Sequence, residues 1–150
     1  MIETLIIYST TDGQTIKICN KLAEENSNEN VKLCPLNDAV QEDLNSYNKI
    51  IIGASIRYGK HNQNVLNFVK KNIKILSNVK TAFFSVNVVA RKKKKSTPST
   101  NPYVIKFIKK TKWQPTKIGV FAGKVDYPSY RLFDKHIIRF IMWLTKGPTD

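Results

Sequence analysis

Seven consecutive positions near the start of the chain, Ser9, Thr10, Thr11, Asp12, Gly13, Gln14 and Thr15, set four hydroxyls, an amide and a glycine between an apolar run and a helical pattern. At the first turn of a helix, unpaired backbone N–H groups and about half a positive charge of macrodipole turn such a loop into an anion seat. No lysine follows Gly13, and the pattern is neither GxxxxGK[ST] nor GxGxxG, so a triphosphate grip and the dinucleotide fingerprint are both excluded. Many small neutral donors suit a terminal phosphate monoester. A plain hydroxyl helix cap is the competing reading of the same residues.

Two later stretches offer the walls of a site. Ala54, Ser55, Ile56, Arg57 and Tyr58 open ASIRYGKHN, where Tyr58 gives a face for stacking on a flat ring, and Ser85, Val86, Asn87 and Val88 open SVNVVAR. Each reads equally as an ordinary polar loop. Arg57, Arg91, Lys92 and Lys93 are candidates for holding the carboxylates of an acidic substrate, because arginine forks a carboxylate and lysine adds field, and a plain solvated loop is the equal alternative for each lysine. The only histidines are His61 and His136, and His61 reads as an exposed loop residue, so no catalytic acid or base is nominated. Cys19 and Cys34, without a CxxC or a histidine cluster, argue against a metal site and read as buried small hydrophobes in a reducing compartment.

The elements that must carry these residues alternate. Short apolar runs at residues 4–8, 49–53, 81–87 and 117–123, and a weaker one at 31–36 ended by Pro35 and the Asn37–Asp38 turn signal, read as the strands of a parallel sheet covered on both sides. Helical spacing appears in Ile16, Cys19, Leu22 and Ala23, then in Val65, Phe68, Val69, Ile73 and Leu76 on one face, then in Tyr103, Val104, Phe107 and Ile108, and last over residues 130–144. Residues 40–44 read as a short helix, and VVARKKKKSTPSTNP as a long loop after the fourth strand. Strand–helix alternation with right-handed crossovers gives an α/β, doubly wound parallel sheet, with ligands bound beyond the carboxyl ends of the strands. Three such strand ends holding a phosphate seat at one side and a planar group at the other describe flavin mononucleotide (FMN).

At 150 residues the chain is one domain, residues 1–150, with ordinary hydrophobic (41%) and charged (24%) fractions. Its formal charge of +14 is segregated: residues 1–48 hold three lysines against eight acids, a net −5, and the remainder carries +19. A lysine-rich composition accounts for the total but not for the segregation, which points to an anionic partner for the second part. The first residues show no signal peptide pattern and no stretch reaches 18 apolar residues, so the expected location is cytoplasmic. From Tyr130 to Lys146, apolar Ile137, Ile138, Phe140, Ile141, Met142, Trp143 and Leu144 are interspersed with Arg131, Lys135, Arg139 and Lys146. That pattern fits either a basic helix lying on an anionic membrane surface or a helix packed on the sheet.

YSTTDGQT, IIGASIRYG, FFSVNVVARK, TPSTNPY, WQP and DYPSYRLFDKHIIRFIM, in this order along essentially the whole chain, resemble the flavodoxin-like family, and more narrowly the menaquinone-dependent protoporphyrinogen IX dehydrogenases. The resemblance implies a five-stranded sheet in the order 2-1-3-4-5. It implies FMN held by Ser9 to Thr15, with its ring flanked by Ser55 to Tyr58 and Ser85 to Arg91. It further implies oxidation of protoporphyrinogen IX in heme biosynthesis, with electrons passed to menaquinone or ubiquinone at the cytoplasmic face of the inner membrane. Members of that family continue past GPTD into a further helix, so the chain is shorter than the family pattern. A flavodoxin-type electron carrier is the rival reading, although such carriers are typically acidic. An RNA-binding role leaves the opening loop unexplained and lacks an aromatic RNP1-like motif, so no nucleic acid is expected.

Overall fold

The computed structural model describes residues 2–9, 13–26, 28–57, 60–87, 93–95, 97–122 and Phe140, with backbone alone at 13, 14, 57, 93 and 122. Strand β1 (Glu3–Ser9) buries Leu5, Ile6 and Ile7 in succession, so both of its faces are covered, as a central parallel strand requires. Helix α1 (Gly13–Glu25) turns Thr15, Ile18, Cys19 and Leu22 inward, whereas Ile16, expected on that face, is exposed. Both cysteines are buried, and burial pushes the Cys19 thiol up to about 12.

Four expected elements come out differently, each for a local reason. After β2 (Asn30–Pro35), Pro35 starts a one-turn helix, α2 (Leu36–Ala39). No helix forms over residues 40–44: Val40 is exposed, and the Asp43 side chain accepts from the Asn45 N–H to start a 3-10 turn at Leu44–Ser46. Strand β3 (Lys49–Arg57) runs well past Gly53, because β4 (Lys60–His61) folds back antiparallel on it, pairing Ile56 with His61 and Arg57 with Lys60. The stretch expected as a polar loop is therefore largely a hairpin. Helices α3 (Gln63–Lys71) and α4 (Ile73–Leu76) replace one continuous helix. The break falls at Asn72, whose side-chain amide donates to the Phe68 carbonyl at 2.9 Å, a local bond that competes with the helical ladder.

Strand β5 (Lys80–Asn87) leads through the expected long connection, which holds a 3-10 turn at Lys93–Lys95, to α5 (Pro102–Thr111) and β6 (Lys117–Ala122). Asn101 caps α5 by accepting from the Tyr103 and Val104 N–H groups, Pro102 sits at the first turn, and Lys112 closes the helix at a left-handed φ of 60°. Of the helix expected over 130–144, only Phe140 is described; it is helical and buried.

The strands lie in the order β2-β1-β3-β5-β6, all parallel, with β4 paired to β3 off this path. This is the doubly wound order 2-1-3-4-5 plus one short antiparallel strand. Alternating side chains divide the core into two layers. Leu5, Ile7, Ile50, Ile52 and Phe83 face α2, α3, α4 and α5, where Phe83 stacks on Phe107 with ring centroids 4.3 Å apart. Ile6, Ile51, Ala82 and Phe84 face α1 and Phe140, where Phe84, Phe121 and Phe140 form a cluster of tilted and edge-on rings. Gly53 is required under Phe84: a Cβ there would fall 2.1 Å from the ring. At the amino end of the sheet, Lys49 Nζ lies 3.0 Å from Glu29 Oε2, and the Thr4 hydroxyl donates to Oε1 at 2.7 Å.

Candidate cofactor site

The register of the central strands brings the three sequence-defined segments to one level. Ser9 at the end of β1 pairs with Ala54 in β3, and Ala54 pairs with Ser85 in β5. The opening loop, the β3–β4 hairpin and the end of β5 thus leave three adjacent strands side by side at their carboxyl ends, where ligands of doubly wound sheets bind. No property of the individual segments requires that coincidence; it follows from strand order and register.

At the first of these ends, Gly13 and Gln14 begin α1 and Thr15 lies in its first turn. The Thr15 hydroxyl is fully buried and has no hydrogen-bond partner. Leaving a buried hydroxyl unpaired costs about 1–3 kcal/mol. A guest with acceptor oxygens seated on this turn removes that cost, so the donor set fits a phosphate monoester. Thr10, Thr11 and Asp12 lie outside the described residues, as do Tyr58, Val88, Arg91 and Lys92. Ser55 and Ile56 are half-buried, Arg57 ends β3, and Lys93 opens the 3-10 turn.

Behind the second and third ends runs a buried polar chain that the residue pattern did not reveal. His61, expected to be an exposed loop residue, is 4% exposed. Its ring meets Phe83 and Phe107 edge-on, and its Nε2 shares a 2.8 Å hydrogen bond with the Ser85 hydroxyl. The Asn87 amide donates to the same hydroxyl at 3.0 Å; Asn101 Nδ2 donates to Asn87 Oδ1 at 2.9 Å and to the Lys95 carbonyl at 2.8 Å. The chain ties the hairpin, the end of β5, the cap of α5 and the lysine-rich turn into one unit. Burial pushes the His61 pKa down to about 4, so the ring is neutral near pH 7. The Ser85 and Asn87 side chains, expected at a cofactor, are engaged in this chain. One signal for it existed: only Tyr58 and Gly59 separate the paired Arg57 and Lys60, a two-residue glycine connection that marks a hairpin and draws His61 inward.

Among the described residues no group of three His, Cys, Asp or Glu side chains could hold a metal ion, and no helix is long and apolar enough to cross a membrane.

A family model for the flavodoxin domain matches residues 5–150. Protoporphyrinogen IX dehydrogenase [quinone] of Escherichia coli strain K12 is 40% identical over 150 residues, which cover 99% of this chain and 83% of that protein. The protein of the same name from Leishmania major is 43% identical over 99% of this chain, and the chain spans 65% of its length. Among solved structures, the oxidised flavodoxin 1 of Bacillus cereus superposes with a TM-score of 0.63 at 15% identity, covering 98% of this chain and 99% of that one. The Fusobacterium nucleatum flavodoxin bound to flavin mononucleotide does so at 0.58 and 15%, covering 99% and 100%.

Proposed function

The chain belongs to the flavodoxin-domain family, and we propose that it is an FMN-dependent protoporphyrinogen IX dehydrogenase, oxidising protoporphyrinogen IX to protoporphyrin IX and passing the electrons to a quinone, menaquinone or ubiquinone. The observation that carries this reading is the row Ser9, Ala54 and Ser85 at one level of the sheet, beside the buried, partnerless Thr15 hydroxyl. The relatives at 40% and 43% identity, both bearing that enzyme name, support it.

Bound FMN supplies the electron chemistry; the chain's residues grip, orient and admit. The N–H groups at the start of α1, with the hydroxyls of Ser9, Thr10, Thr11 and Thr15 and the Gln14 amide, hold the phosphate. Ala54 to Tyr58 and Ser85 to Val88 form the two walls of the ring site, held in mutual register by the Ser85–His61 bond behind them. His61 is enclosed and hydrogen-bonded, so its part is positional and proton transfer is not assigned to it. Arg57, Arg91, Lys92 and Lys93 hold the carboxylates of the tetrapyrrole. The quinone acceptor is a membrane lipid, so the reading includes peripheral attachment to the cytoplasmic face of an inner membrane.

The test is anaerobic oxidation of protoporphyrinogen by the FMN-loaded protein, followed through porphyrin fluorescence with and without a quinone. Quinone-dependent porphyrin formation is the expected result. A protein that binds FMN but forms no quinone-dependent product is an electron carrier, and one that binds no FMN ends both readings.

A further inference from the structure

From Lys49 to Ala122 the chain contains fifteen lysines, two arginines and no aspartate or glutamate. The sheet order converts this run into a surface. With β2 and β1 at one side and β3, β5 and β6 at the other, the acidic opening and the basic remainder occupy different parts of the molecule. Helices α3 and α5 pack against each other on the first layer, and their outer sides carry exposed Lys70 and Lys71, then Lys106, Lys109 and Lys110, flanked by exposed Lys74 and Lys112. None of these makes an ion pair with a described residue. Exposed Ile105 lies among the α5 lysines, and Lys60 continues the patch toward the strand ends where the proposed flavin sits.

The amphipathic segment at residues 130–146 is the other candidate for a membrane contact. Its one described residue, Phe140, is buried against Phe84 and Phe121 on the second layer. The α3/α5 face lies on the first layer, across the sheet. A flat bilayer meets one of these faces at a time.

We infer that the lysine-rich face of α3 and α5 docks the protein on a bilayer of anionic phospholipid. This rests on the reading of the protein as a quinone reductase only in its choice of a bilayer as the anionic partner. Two helices side by side on a sheet present a broad, shallow surface, suited to a plane of headgroups rather than to a nucleic-acid groove, which takes a single helix or ribbon. Exposed Ile105 provides an apolar group that can enter the headgroup boundary. Each lysine near such a surface strengthens attachment about fivefold, and the attachment is screened by salt within about 10 Å.

The experiment is sedimentation of the FMN-loaded full chain with vesicles of phosphatidylcholine alone or mixed with phosphatidylglycerol, at low and high salt. Wild type is expected on the mixed vesicles at low salt only. The sets Lys70→Gln/Lys71→Gln/Lys74→Gln and Lys106→Gln/Lys109→Gln/Lys112→Gln should each weaken binding at least about tenfold, with flavin absorbance and turnover on a water-soluble quinone unchanged. The set Arg131→Gln/Lys135→Gln/Arg139→Gln should leave binding intact. Unchanged binding by both lysine sets, loss of binding by the arginine-containing set alone, equal binding to neutral and mixed vesicles, or preference for transfer RNA over the vesicles would each overturn the inference. Turnover on the soluble quinone separates these outcomes from a failure of the enzymatic reading.

Discussion

Thr15 and His61 are both buried polar side chains, but only one of them is satisfied. The Thr15 hydroxyl has no partner, so Thr15→Val removes a cost from the protein without ligand and a donor from the phosphate seat. We expect unchanged or higher thermal stability without flavin, about tenfold weaker FMN binding, as the loss of one charge-assisted hydrogen bond implies, and unaltered binding of riboflavin, which lacks the phosphate. Fluorescence titrations with the two flavins check it; equal losses for both would place Thr15 away from the phosphate. His61 is depressed from 6.5 to about 4 by burial. Between those values the unfolded chain takes up a proton that the folded one refuses, so the stability linked to His61 is complete above about pH 6.5 and is lost as pH falls toward 4. The loss amounts to about 3 kcal/mol. Urea unfolding at about pH 7 and about pH 4.5 should show most of this loss, about 2 kcal/mol, in wild type and a much smaller one in His61→Gln.

At the scale of elements, the connection between β5 and α5 is held by Asn101 in two capacities. Its carbonyl oxygen caps α5, while its amide nitrogen donates to Asn87 and to the Lys95 carbonyl. Asn101→Asp keeps the cap and adds a charge that the helix dipole favours, yet removes both donors at a fully buried position. The loss of both donated bonds and the buried carboxylate should dominate, costing about 2–4 kcal/mol in guanidinium unfolding. A neutral or stabilising result would mean that capping is the larger of its two roles. The hairpin and the α3–α4 break show the same competition between local bonds and regular pattern. Apolar periodicity runs through Asn72, but the bond from its side chain to Phe68 ends the helix there.

For the whole molecule, the second layer of the core depends on the last part of the chain. Phe140 packs on Phe84 and Phe121 at ring distances of 6.0 and 5.5 Å, and a Cβ at Gly119 would lie 2.8 Å from its ring. Phe140→Ala should therefore cost about 3–5 kcal/mol, read by calorimetry or denaturant titration. A helix resting on a membrane without packing on the sheet would show almost no change. The same architecture turns a charge imbalance along the chain into one across the molecule, because the acidic residues 1–48 build β1, α1, β2 and α2 and the cationic remainder builds the other strands and α3 to α5.

The amino-acid sequence by itself determined that five strands alternate with helices in a parallel sheet, and its resemblance to the flavodoxin-like family carried their order. Short uninterrupted apolar runs such as Leu5–Ile7 and Ile50–Ile52, bounded by turn residues, have the length and pattern of strands covered on both faces. The tertiary structure alone decided that Ser9, Ala54 and Ser85 share one level, that His61 is buried, and that the α3 and α5 lysines lie across the sheet from Phe140. Those outcomes depend on register and on which face of the sheet each crossover takes. Both are settled by contacts between residues far apart in the chain, which composition and spacing do not encode.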